Sequence, residues 1–370
     1  MKPLILILTT LALSSTVTLA QNQSRFDTWD KNNDGNLSRE ELPEPLKKNF
    51  SRVDTNQDGA ISREEDQAFR NRAQNRNRPS TPVNVPGVSV LKDIPYANND
   101  NPRQTLDLYL PENPKSDSLP LLVFIHGGGW RAGSKDGTGR RLALFIEDGE
   151  YAAASINYRL SDEAQWPAQI HDCKAALRFL RAHANDHGFD PDNIAVWGSS
   201  AGGHLVAMLG VSQDVEGLEG DIGEHTDQSS AVQAVINYYG PSELLTMDDH
   251  PGTMTHNSPD SPESRLIGGP IQENKEKSKN ASPVTHAGKN DAPTLIVHGT
   301  DDPLVPFAQS ETLDQLLDKA GVESILITVD GGGHGKGFPP SLTETIRDFL
   351  DRHLRNADIT VKEQTLPATN

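Results

Sequence analysis

Residues 194–209, IAVWGSSAGGHLVAML, restrict the possible folds of this chain more than any other stretch. A short apolar run meets Gly198-Ser199-Ser200-Ala201-Gly202, and a second apolar run with helical character follows. G-x-S-x-G between a strand and a helix makes a sharp turn that exposes the central serine at a helix N-terminus. The glycines let the backbone reverse and let neighbouring strands come close. A helix start also favours developing negative charge. Ser200 is therefore the candidate nucleophile, and Ser199 is expected to point into the fold.

The surrounding pattern agrees with such a turn. VSVLKDIPY and TLDLYLP (105–111) read as an opening pair of strands. LLVFIH (121–126), AAASINY (152–158), AVINYYG (234–240), TLIVHG (294–299) and SILITVD (324–330) read as buried strands. Amphipathic stretches separate them: PAQIHDCKAALRFLRAHANDHG places Ile170, Cys173, Leu177 and Leu180 on one face, and LTETIRDFLDRHLRN does the same with Ile346, Leu350 and His353. Alternating strands and helices predict an α/β fold with a mostly parallel central sheet covered by helices on both faces.

Other strand ends carry groups that complement a serine nucleophile. HGGGW follows the strand at 121–126. Acyl transfer needs backbone N–H groups aimed at an oxyanion with no side chains in the way. Gly128, Gly129 and Ala201 are the candidate donors, with Gly127 as a substitute, and His126 is expected to support the loop. An acid and a base should follow the serine in the order Asp, His. The strand TLIVHG leads to Asp301 and Asp302, of which Asp302 fits an H-G-x-x-D pattern, and SILITVD leads to GGGHG with His334. His298 ends a strand and is expected to pack, while His353 lies in the terminal helix.

The N-terminal part has a different texture. Residues 1–20 have Lys2, an apolar run from Leu4 to Leu13, and Thr18 and Ala20 before a cut at Gln21, the layout of a secretory signal peptide. This predicts a secreted or periplasmic protein with no membrane span after cleavage. DKNNDGNLSREE (30–41) and DTNQDGAISREE (54–65) both match the twelve-residue EF-hand calcium loop. Calcium takes oxygens from loop positions 1, 3, 5, 7, 9 and 12 around a Gly at position 6. The candidate ligands are Asp30, Asn32, Asp34, the Asn36 carbonyl, Ser38 and Glu41, then Asp54, Asn56, Asp58, the Ala60 carbonyl, Ser62 and Glu65. Leu37 and Ile61 hold the position where paired loops zip together. With Phe26, Trp29, Leu46, Phe50, Val53 and Phe69 as its only core, residues 21–70 form a compact pair expected to depend on calcium for folding. Residues 71–88, rich in Asn, Arg and Pro, read as a flexible linker, 89–356 as the catalytic domain, and 357–370 as a C-terminal tail.

Residues 89–356 resemble α/β-hydrolase carboxylesterases of the hormone-sensitive-lipase-like and acetyl-xylan/feruloyl esterase type. HGGGW, NYRL with WPAQIHDCKAALRFL, FDPDNIAVWGSSAGGHL, NYYGPSEL, HGTDDPLVP and the distal GGGHG carry the resemblance, in the family's order. It implies an α/β-hydrolase fold, a Ser200–Asp302–His334 triad and ester hydrolysis without a catalytic metal. The long N-terminal cap of the lipase-like branch has no counterpart, because HGGGW begins at 126, soon after the linker. Residues 241–290 are left to cover part of the site, and the open-sited branch implies short acyl esters, such as acetyl or feruloyl groups on polysaccharide. The readings that compete are a serine peptidase of prolyl-oligopeptidase type and a non-catalytic calcium-dependent adhesion protein. A net charge of −18 argues against a nucleic-acid partner, and Cys173, as the single cysteine, excludes an internal disulfide.

Overall fold

Every residue of Leu119–Ile125 is buried, so this strand must be covered on both faces. In the computed structural model it lies inside a nine-stranded sheet. The structure describes residues 25–369 apart from 33, 44–46, 48–49, 57, 68, 70–84, 214 and 251. The chain divides into two units, one before and one after residue 78. The expected signal peptide and most of the expected linker lie outside the described residues, as does Leu46.

In the first unit, the helices Arg25–Trp29 and Phe50–Val53 each lead into a loop. Strands β1 (Asn36–Leu37) and β2 (Ile61–Ser62) pair antiparallel, with Leu37 opposite Ile61. Phe26, Leu37, Leu42, Phe50, Val53 and Ile61 form the core, with Trp29 and Phe69 packed against it. So few apolar side chains bury little surface, which leaves the unit's stability dependent on its loops.

In the second unit, the strands are β3 (Val88–Pro95), β4 (Thr105–Pro111), β5 (Leu119–Ile125), β6 (Ala152–Ile156), β7 (Phe189–Ser199), β8 (Ala234–Tyr238), β9 (Thr294–Gly299), β10 (Ser324–Asp330) and β11 (Gln364–Pro367). They lie in the order 11-10-9-8-7-5-6-4-3. Pairing is parallel from β11 to β6, and β4 joins antiparallel to both β6 and β3. Side chains alternate between the faces, as strand geometry requires. Leu121, Val123 and Ile125 enter one core with the helices Ala168–Ala182 and Ala201–Val211. Leu122 and Phe124 enter the other with Gly139–Ile146 and Leu342–Arg355. The alternating pattern of the sequence thus becomes a sheet buried on both sides.

Both ends of the predicted domain need correction. The linker was expected to run to residue 88, yet Val85 and Val88 are buried in the second core. The expected tail at 357–370 contains β11, which pairs with β10 from Ile327↔Gln364 to Asp330↔Pro367. Short, exposed Gln364–Pro367 has no apolar alternation to betray it, because backbone hydrogen bonds to β10 supply its structure.

The chain following HGGGW is fastened to the antiparallel edge by a buried charge. Lys135 Nζ lies 2.6 Å from both Asp107 and Asp93. The Lys135 and Asp107 side chains are 2% and 1% exposed, whereas Asp93 is largely in solvent. Lys135 N also donates to Asn157 Oδ1 at 2.7 Å. Removing one member of a buried pair leaves the other uncompensated. Asp107→Ala is expected to lower unfolding stability by about 3 kcal/mol in urea titrations, the low end of the usual range because Asp93 remains.

Candidate active site

Ser200 joins β7 to the helix Ala201–Val211 with φ 58° and ψ −124°. A non-glycine residue in that region is strained and persists only where its surroundings hold it. Here Ser200 N donates to Tyr238 O at 2.8 Å, and Ser200 O accepts from His204 N at 2.9 Å. Position 202 must be glycine, since a Cβ there would lie 2.1 Å from Ile125 O. The elbow therefore sits against the end of β5, where the Gly-rich loop begins. In that loop Gly128 has φ +122°, and an added Cβ would meet Ala132 O at 2.2 Å.

Asp302 and His334 come from the loops after β9 and β10. His334 Nδ1 lies 2.7 Å from Asp302 Oδ2. Asp302 is 8% exposed, and its Oδ1 accepts from the backbone N–H groups of Leu304 (2.8 Å) and Val305 (3.0 Å). Burial alone would raise its pKa, but hydrogen bonds from His298 and His334 outweigh it and hold the carboxyl well below the usual range. Asp301, the sequence alternative, is exposed; its carboxylate accepts from neighbouring Thr300 Oγ1, and its backbone N–H donates to Gly332 O.

A pocket of about 420 Å³ brings Gly128, Gly129, Ser200, Ala201 and His334 together, with Asp302 behind the histidine. Gly127 lines it as well. Ser199 departs from expectation: it is half-buried and lines the same pocket. The segment expected to cover the site does so through Pro241, Met254, His256, Pro262 and Glu263.

Three supporting groups were not assigned from sequence. His298 was expected simply to pack. Its Nε2 donates to Asp302 Oδ2 (3.2 Å) and Val305 O (3.0 Å), while Nδ1 accepts from Ser310 Oγ at 2.7 Å. His204 accepts from Trp130 Nε1 at 3.2 Å and donates from Nε2 to Ala281 O at 2.6 Å, tying the Gly-rich loop to the nucleophile's helix. Its placement four residues after Ser200, on one helix face, was the available signal. The ring of Tyr239 lies 4.5 Å from that of His334. His126, as expected, supports the loop: Nδ1 donates to Gly127 O at 2.8 Å and the ring stacks on Tyr158.

The two N-terminal loops fit a hard cation. Asp30 and Asp54 are buried, and Asp54 Oδ1 has no hydrogen-bond partner. Asn32, Asp34 and Glu41 gather around the first loop, with Glu41 accepting from the N–H groups of Lys31 and Ser38 at 3.0 and 2.9 Å. The second loop repeats this through Asn56, Asp58 and Glu65. Hydrogen bonding from Ser62 pulls Glu65 down to about 2, so it is ionised under ordinary conditions. Oxygen donors that are charged and converge in this way are those calcium selects.

The parallel sheet, the serine elbow and the His334–Asp302 contact at strand ends define an α/β-hydrolase. The chain belongs to the BD-FAE family, whose model matches residues 106–317. Models described as TAP-like protein and EF hand match residues 272–363 and residues 23–43 and 46–68. Among curated relatives, Esterase LipC of Mycobacterium tuberculosis is 29% identical over 64% of this chain and 58% of its own length. The chain spans about half the length of the curated relatives it matches. Among solved structures, a truncated carbohydrate esterase from gut microbiota is 33% identical, covering 72% of this chain and 96% of its own, with TM-score 0.68. Esterase 2 of Thermogutta terrifontis, phosphorylated by paraoxon, is 27% identical over 75% of this chain and 97% of its own, with TM-score 0.57.

Two buried histidines make the unit acid-sensitive. Burial lowers both His126 and His204 to about 4. Their folded pKa values lie below the unfolded value of about 6.5, so between those limits the unfolded chain binds more protons. Stability is complete above about pH 6.5 and falls as the pH drops toward 4. The urea midpoint is expected to decline across this window, by an amount equivalent to roughly 3 kcal/mol per histidine. His204→Gln should flatten the decline.

Proposed function

We propose that this protein is a secreted serine carboxylesterase that removes short acyl groups, such as acetyl or feruloyl, from carbohydrate. The observation that carries the reading is the 2.7 Å contact of His334 Nδ1 with buried Asp302, at the pocket that also holds strained Ser200. The carbohydrate esterase likeness supports the substrate class, and the paraoxon-phosphorylated relative supports a nucleophile open to organophosphates.

In this mechanism Ser200 Oγ attacks the ester carbonyl while His334 Nε2 takes its proton. The tetrahedral oxyanion faces the N–H groups of Gly128, Gly129 and Ala201, at the start of the helix. His334 returns the proton to the leaving alcohol, and Ser200 keeps the acyl group. Water then attacks the acyl-enzyme with His334 again acting as base, which frees the acid and restores Ser200. Asp302, already ionised and locked by two backbone N–H groups, orients the imidazole and stabilises its cation.

The N-terminal unit is assigned as an accessory module. Asp30, Asn32, Asp34, the Asn36 carbonyl and Glu41, with Asp54, Asn56, Asp58, the Ala60 carbonyl and Glu65, would hold calcium, which supplies folding energy there. No step at Ser200 passes through these loops.

Ser200→Ala is expected to abolish hydrolysis of p-nitrophenyl acetate and labelling by a fluorophosphonate, with an unchanged circular dichroism spectrum. Activity retained by this variant would refute the assignment. Asp302→Asn should lower kcat on the order of 10⁴-fold by leaving the wrong imidazole tautomer. Chelation should unfold the N-terminal module, read by loss of its amide protection in hydrogen exchange, while turnover of small esters stays within about twofold. A chelator that stops turnover would show that the calcium module takes part in activity.

A further inference from the structure

Glu263 is an expensive residue to keep in a substrate pocket. Its side chain and that of His256 are only 5% and 4% exposed. Both line the pocket of Ser200 and His334, whose walls also include Trp130, Met254, Leu304 and Val305. Buried charge in such surroundings destabilises a fold unless it is well paired. The pairing here is incomplete. His256 Nδ1 and Glu263 Oε2 lie 3.1 Å apart, yet out of line for a hydrogen bond, and among the described residues neither atom has another hydrogen-bond partner. Their attraction is electrostatic, and directional bonding capacity is left over.

The surrounding segment fixes this pair in place. Asp248 accepts from the backbone N–H groups of His256 and Asn257, each at 2.7 Å. Ser261 Oγ caps the helix Pro262–Ile267 by accepting from Ser264 N at 3.0 Å, and donates to His256 O. Pro262 packs against the Gly-rich loop, so close that a Cβ on Gly129 would lie 3.1 Å from Pro262 Cβ. Glu263 is the next residue. Glu263 thus lines the same pocket as the oxyanion donors proposed above, on an element with little freedom to move away.

We propose that Glu263, backed by His256, recognises hydroxyl groups next to the scissile ester and so selects esters of sugars and other polyols. This rests on the esterase reading of the pocket. A carboxylate is acceptor-only and suits hydroxyl donors. A lone carboxylate would favour a cationic substrate; burial lowers the His256 pKa, but Glu263 beside it outweighs that and raises it, and the imidazolium form so favoured offsets the carboxylate's charge and turns the pair toward neutral hydroxyls. Truncating one side of a charged hydrogen bond weakens recognition more than losing a neutral one.

The test compares kcat/KM for an acetylated methyl xyloside and for monoacetylglycerol with that for propyl acetate, in wild type, Glu263→Gln and Glu263→Leu. Wild type is expected to prefer both hydroxylated esters. In Glu263→Leu the preference ratio should fall on the order of 10- to 100-fold, and in Glu263→Gln by less. A purely structural role would lower all three substrates together and leave the ratio intact, which overturns the proposal. So would a preference for acetylcholine that disappears with Glu263. If Glu263→Leu does not fold, the isosteric Glu263→Gln ratio decides. If wild type ignores the xyloside but still prefers monoacetylglycerol through Glu263, the carbohydrate reading falls and the assignment of Glu263 stands. If xyloside preference survives in Glu263→Leu, the reverse holds.

Discussion

The close approach of two backbones, at Ile125 O and Gly202, is the contact on which the site depends. β5 and β7 pair in parallel with Ile125 opposite Gly198, so both strands end at the same level. One releases the Gly-rich loop and the other releases Ser200. Any side chain at 202 would push the helix away from β5 and separate the serine from the loop's N–H groups. Placing chemistry at the carboxyl ends of parallel strands is a general property of open α/β sheets. Here it comes down to main chains packed too closely at Gly202 to admit a side chain.

A second constraint is electrostatic. Among the described residues no lysine or arginine pairs with buried Asp302; two N–H groups and two histidines satisfy it instead. Ser310 and Val305 hold His298 in one tautomer, so His298 serves as a fixed donor to Asp302. That leaves His334, on a Gly-rich loop, as the ring adjacent to both Asp302 and the pocket. Two histidines on one carboxylate therefore occupy different environments, and geometry separates the supporting ring from the one that faces substrate.

Much of this was legible in the chain. Buried runs such as LLVFI and TLIVHG announced strands because parallel strands are apolar on both faces. Ser200, Asp302 and His334 stood out because each follows such a run at a turn. β11 was not legible, since QTLP is short and mostly exposed and owes its structure to hydrogen bonds with β10. Val85 was hidden by a composition dominated by Asn, Arg and Pro, whereas Val88, counted with the linker, also opens the strand read at VSVLKDIPY. Ser199 was assigned inward because it is not the central serine of G-x-S-x-G, but the turn leaves it at the pocket.

The sequence by itself determined the two-part organisation, the calcium-type loops, the strand order in the chain and the elements bearing the candidate serine, acid and base. These are local properties: spacing, turn chemistry and periodicity are written in consecutive residues. Only the tertiary structure decided that His298 shares Asp302, that His204 braces Trp130 across 74 residues, and that Glu263 and His256 face Ser200. Those relations join segments that no local pattern links. They arise when the sheet assembles and its strand ends come side by side, bringing together side chains that carry no mark of one another in the sequence.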